Sequence, residues 1–176
     1  MKSTCLPLNK PTWVNSTDEL LIDYAIHTEI PVGSHRGSFG IQRTHHMHTG
    51  IDLYCSDGNT VYALEDGIVV SIGAFTGEEV GSPWWNSTEY CMIASKSGTI
   101  NYGEIICSLK SGQTIKRGDI IGHVRKVLKT DKGRPTSMLH LELYNDGIIS
   151  PCDWDIGDPT PHGLLDPTEL LLKEIK

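Results

Sequence analysis

Two short stretches carry the side chains that could do chemistry. The first, "RTHHMHTGIDLYC" from Arg43 to Cys55, gathers His45, His46, His48 and Asp52 around Gly50. The second, "SMLHLELY" from Ser137 to Tyr144, reads as a strand, whose successive side chains point to opposite faces. Leu139, Leu141 and Leu143 make its core face, so Met138, His140 and Glu142 share the other, where a cleft can form. Two imidazoles and one carboxylate are enough for a catalytic zinc site, with the fourth position left for water. His48 and Asp52, four apart across a glycine that permits a sharp backbone path, make such a set with His140. His45 and His46 are rival ligands, and a hydrogen-bonded turn is the competing account of Asp52. A structural zinc site is more often closed by cysteines, and Cys5, Cys55, Cys91, Cys107 and Cys152 include no C-x-x-C pair. Odd in number and scattered, they read as small buried apolar residues of a reducing compartment, not as a disulfide framework.

What must position these residues is a turn-rich β domain. The 176 residues suit one domain with a core of useful size. Eighteen glycines and nine prolines favour short strands and turns over a helical bundle. "TVYAL" (60–64), "GIVVSIG" (67–73), "EYCMIAS" (89–95) and "TINYGEIICSL" (99–109) read as strands, with turns such as "LEDG" and "KSG" between them. "QTIKRGDIIGHV" (113–124) alternates about two glycines, as antiparallel barrels and sandwiches do. "LLDPTELLLKEI" predicts a short terminal helix, capped by Asp166 and with Pro167 in its first turn. The expected fold is therefore mainly β, a compact antiparallel sheet or barrel-like sandwich with a groove. Residues 1–32 read as a lead-in, partly helical at "STDELLIDYAI", and 33–176 as the domain proper. A net charge of -7 opposes a nucleic-acid surface. Pro7 and Pro11 interrupt any apolar leader, so neither a signal peptide nor a membrane span is expected.

In order along the chain, "FG…R…HTGIDL", "GNTVYALEDGIVV", "YGEI", "IKRGDIIGHV", "LHLELY" and "LDPTELL" resemble the landmarks of the lysostaphin-type zinc metallopeptidases. Those are peptidoglycan endopeptidases with a compact, mostly antiparallel β fold. The resemblance runs from about Phe39 to the C-terminus. It implies one zinc per chain held by His48, Asp52 and His140. It leaves His45 and His46 without a role and gives Glu142 a supporting one. Two positions depart from it: where active members carry auxiliary histidines in "YxHL" and "HLHFE", this chain has Glu104 in "NYGEI" and Met138 in "MLHLE". A carboxylate can serve as general base, a contribution of ~100-fold to 10,000-fold. Glu104 is expected in that role, with Tyr102, of the same strand parity, lending a hydrogen bond. Met138 can neither donate a proton nor bind an oxyanion.

The long link "FTGEEVGSPWWNSTEY" (75–90) offers Trp84 and Trp85 as one wall of a substrate groove, and "GRPTSM" (133–138) offers another. The expected reaction is hydrolysis of a peptide bond in peptidoglycan cross-links or stems. The alternative is a catalytically inactive zinc-binding member acting as a wall-binding or assembly module. A third account is a metal-binding protein that uses His45, His46 and His48 without Asp52. The expected partners are a peptidoglycan peptide and a phage or secretion assembly. Such an assembly, or lysis, would bring a protein made in the cytoplasm to the wall.

Overall fold

The computed structural model describes residues 30–130 and 137–175. The lead-in, but for residues 30–32, and most of "GRPTSM" therefore lie outside the described residues. Nine strands are described: β1 Ile51–Tyr54, β2 Thr60–Tyr62, β3 Gly67–Thr76, β4 Thr88–Ser95, β5 Gly98–Cys107, β6 Thr114–Ile115, β7 Ile120–Val124, β8 Met138–Tyr144 and β9 Leu164–Leu165. One helix, α1 (Thr168–Ile175), follows, and Asp166 accepts the Thr168 backbone N–H at 2.8 Å, as the capping pattern predicts. The protein is mainly β, as expected. Every strand pair is antiparallel, in one sheet with the path β1-β8-β5-β4-β3-β6; β7 joins β5 and β2, and β9 joins β8.

Apolar side chains cover both faces of the central strands. Leu139, Leu141 and Leu143 of β8 enter the larger core with Ile51, Leu53, Cys91, Ile93 and Ile100. Met92 and Tyr144, on the opposite face, join Trp154 and Leu164 in a smaller cluster capped by Phe39 and Met47. His140 and Glu142 lie on this second face and are buried. Strand β1 shows no period-2 alternation in "IDLY" because its polar residue, Asp52, is as buried as its neighbours.

Strand β5 divides one edge between two partners. Thr99–Gly103 runs against β8, Ile105–Cys107 against β7, and the other edge pairs with β4. Between the pairs Cys91↔Tyr102 and Glu89↔Ile105, β4 advances two residues while β5 advances three. The extra residue falls at a bulge where Glu104 takes φ 62°, the one positive φ on a non-glycine among the described residues. That conformation costs a side-chain-bearing residue about 1–2 kcal/mol.

The bulge corrects the expectation that Tyr102 and Glu104 face one groove by simple alternation. Tyr102 sits opposite Leu141 on the core face, buried, and its hydroxyl accepts the Leu64 backbone N–H at 3.0 Å. Gly103, opposite His140, turns to the other face, and the extra residue carries Glu104 there too. The role expected of Gly50 also changes. Its φ is not in the left-handed region; a Cβ there would meet the Leu141 carbonyl oxygen at 2.3 Å and carbon at 2.9 Å. Close approach of β1 to β8, not backbone freedom, requires the glycine. Gly50→Ala should therefore cost at least ~1–3 kcal/mol, as overpacking does, seen as a melting temperature lower by roughly 2–4 °C per kcal/mol.

Candidate metal centre

Each of the three ligand candidates is held by a different device. Asp52 and His140 are cross-strand partners in the β1–β8 register, a pairing that brings Cβ atoms to about 4.5–5.5 Å. His48 arrives on a short hairpin. Its bridge is Gln42↔Met47, its turn is closed by Arg43 N–H to the His46 carbonyl at 2.8 Å, and its stem is continued by the His48 N–H to Ile41 at 2.9 Å. His45 and His46 stand exposed at the tip of that hairpin and take no part in the cluster.

Three ligand atoms converge: His48 Nε2 lies 3.1 Å from Asp52 Oδ1 and 3.2 Å from His140 Nδ1, and the latter two are 2.9 Å apart. Bonds of ~2.0–2.1 Å in a tetrahedron imply ligand edges of roughly 3.3–3.4 Å, close to this triangle. The outer hydrogen bonds fix what the converging atoms offer. His48 Nδ1–H donates to the Ser38 carbonyl at 2.7 Å, which leaves Nε2 with a lone pair. His140 Nε2 lies 3.2 Å from Glu142 Oε1 and donates to it, so Nδ1 is the atom turned to the triangle, an acceptor when the imidazole is neutral. The second Glu142 oxygen accepts from Asn101 Nδ2 at 2.6 Å and from the Tyr144 hydroxyl at 2.9 Å. Two imidazoles, each steered by a carbonyl or carboxylate behind it, follow the pattern of metal-ligating histidines. With both imidazoles neutral, three acceptors aim at one point and repel unless a cation sits among them; these residues fit a divalent metal.

Asp52 presents only one oxygen to the triangle. Arg43 Nη2 donates to the other, Oδ2, and also to the Arg36 carbonyl at 3.0 Å. Burial would raise the Asp52 pKa, but His48 and Arg43 outweigh it and hold the carboxyl well below the ordinary range. Burial lowers His48 against the pull of Asp52. Burial also opposes charge on His140, yet its hydrogen bonds to Asp52 and Glu142 prevail and push it up to about 10. Glu104 is pushed up to about 8 by burial and by the Asp52 charge, with His140 and Arg43 pulling the other way. Its Oε2 is buried and has no hydrogen-bond partner.

The remaining expected residues are spread more widely. Met138 is half-buried on the His140 face, opposite Tyr54. Trp84 is 63% exposed and Trp85 half-buried, with ring centroids 6.1 Å apart. Their link is pinned to the segment after β7 by the Trp85↔Leu128 bridge and the Asn86 N–H to Val127 at 2.8 Å, not to the triangle. Phe75, from the start of the same link, comes nearer: its ring lies 5.5 Å from that of His140, over Gly103. Sequence reasoning missed Arg43, Asn101, Tyr144 and Phe75. Only Arg43 gave a signal, as the one cation in the histidine stretch.

An antiparallel sheet thus brings two histidines and an aspartate to one buried point that could hold a metal ion. The chain belongs to peptidase family M23, whose profile matches residues 46–151. Leukocyte cell-derived chemotaxin-2 from Bos taurus is 29% identical over 133 residues, 70% of this chain and 71% of that protein. Among solved structures, the catalytic domain of the antimicrobial peptidase lysostaphin from Staphylococcus simulans is similar at 19% identity and TM-score 0.51, over 85% of this chain and 96% of that one. LytU is similar at 20% identity and TM-score 0.52, over 81% and 83%. At those identities the likeness speaks for the fold.

Two protons balance one divalent ion in this cluster. The raised pKa values of His140 and Glu104 keep both protonated at neutral pH without metal, and a divalent ion bound here would displace both protons. Calorimetry in buffers of different ionisation enthalpy should therefore show about two protons released per metal bound near pH 7, and about one for Glu104→Gln. Apparent affinity should rise with pH accordingly. In the metal-free chain, the raised His140 contributes stability below about 6.5 that is lost as pH climbs through about 10. Glu104 acts in the same direction between about 4.5 and 8. The metal-free melting temperature should thus fall from pH 6.5 upward.

Proposed function

We infer that this chain is a zinc metalloendopeptidase that cleaves peptide bonds in peptidoglycan cross-links or stems. The observation that carries the reading is the buried, unpartnered Glu104 oxygen held, at a backbone cost, beside the His48–Asp52–His140 triangle. A buried carboxylate oxygen without a partner is expensive unless a ligand or water uses it. When bound, zinc supplies Lewis acidity toward the scissile carbonyl and brings water's pKa to about 7. Glu104 Oε2 accepts the proton of the attacking water and returns it to the leaving amine nitrogen. A divalent cation nearby lowers the Glu104 pKa below its metal-free value of about 8, so the base form prevails near neutrality. His48 Nδ1–H and His140 Nε2–H go on donating to the Ser38 carbonyl and to Glu142 throughout. Tyr102, with its hydroxyl in the core, is not given a part in the reaction. Phe75 and Met138 wall the site on the His140 side, and Trp84 with Trp85 offers a more distant contact for the glycan or stem.

A second reading has its own support. Both auxiliary histidines of the lysostaphin-type pattern are replaced, and one relative at 29% identity is named a chemotaxin, not a peptidase. On that reading the centre holds zinc in a binding module. Purified sacculi, with released muropeptides measured, separate the two. Wild type should release fragments, and Glu104→Gln should do so ~100-fold to 10,000-fold more slowly while retaining its zinc. No release by wild type with any divalent metal defeats the enzyme; equal release by both defeats Glu104 as base. Zinc content should fall to near zero in His140→Ala and stay unchanged in His45→Ala.

A further inference from the structure

We propose that Arg43 is a positioning residue that keeps Asp52 a one-oxygen ligand, and so keeps a water-bearing metal at this centre four-coordinate. The inference rests on the metal reading of His48, Asp52 and His140. A carboxylate can bind a cation through one oxygen or through both. In a centre with three protein ligands and a water, a second carboxylate oxygen would raise the coordination number from four to five and crowd the water's position. Here Oδ1 faces the two imidazole nitrogens at 2.9 and 3.1 Å, while Oδ2 is taken by Arg43 Nη2. For Asp52 to chelate, its carboxyl would have to turn about the last side-chain bond and break that ion pair. The backbone offers no slack either, because the Asp52 N–H is bonded to the Gly37 carbonyl at 2.9 Å and β1 is fixed against β8.

Arg43 is itself held in place. Its guanidinium also donates to the Arg36 carbonyl at 3.0 Å, and its backbone N–H closes the hairpin turn on His46. Its side chain is 30% exposed while that of Asp52 is 2% exposed, so the pair reaches from the surface into the buried centre. Guanidinium stays charged at every accessible pH and presents its donors in a fixed plane, which suits it to holding one carboxylate oxygen. The simpler account is that Arg43 only neutralises a buried aspartate. That account predicts a loss of stability and no change at the metal.

The test is coordination number. The full chain is loaded with Co2+, whose visible absorption is intense in four-coordinate sites and several-fold weaker in five-coordinate ones. Wild type and Arg43→Lys should both give the intense band, and Arg43→Met the weaker one. A folded Arg43→Met with the wild-type band overturns the proposal. Zinc-edge X-ray absorption on wild type gives a test that needs no variant. One carboxylate oxygen in the first shell supports the proposal, and two overturn it even if Arg43→Met does not fold. A wild type that takes up neither metal is a different failure, that of the metal reading itself.

Discussion

The centre depends on one register. Asp52 stands opposite His140 because Ile51 and Leu53 pack against Leu141 and Leu139 on the core face, while Gly50 lets β1 lie close against β8. Strand side chains alternate with period two, so a slip of one residue would send Asp52 into the core and Leu53 into the site. The apolar residues between the ligands therefore set where the ligands meet. The 41–48 hairpin and the β5 bulge then add His48 and Glu104 to a position already decided by β1 and β8.

Charge explains why the neighbours are what they are. Three carboxylates, Asp52, Glu142 and Glu104, gather within reach of one guanidinium and two imidazoles. A divalent cation would bring that group to neutrality with both imidazoles uncharged. In its absence one proton on His140 and one on Glu104 achieve the same balance. Replacing an auxiliary histidine by Glu104 thus changes the charge the centre prefers as well as the identity of a base.

Much of the fold was legible. Period-2 patterning and turn residues mark β3, β4, β5 and β8, and the Asp166–Pro167 cap marks α1. Strand β1 escaped because burial on both faces erases alternation. Residue type and spacing offered His48, Asp52 and His140 with His45 and His46 as rivals; the family resemblance chose among them, and the exposure of His45 and His46 follows from a hairpin tip. The parity argument for Tyr102 failed for a reason sequence does not display. A bulge inserts one residue between it and Glu104, and a glutamate gives no warning that it will adopt a positive φ. Arg43 and Asn101 act through other side chains, and such supporting contacts leave no periodic trace.

His48 and Asp52 are near neighbours in the chain, yet His140 lies 92 and 88 residues beyond them. The three meet only where β8 lies against β1, so the strands between them in the chain must be spanned by the loop that this pairing closes. Closing so distant a contact is slow and entropically late. An ion that needs all three atoms cannot guide the chain to its fold. It can only reward arrival, by binding the finished state and drawing the population toward it. Occupancy of the centre is in that sense a reporter of completed folding, read out where β1 meets β8.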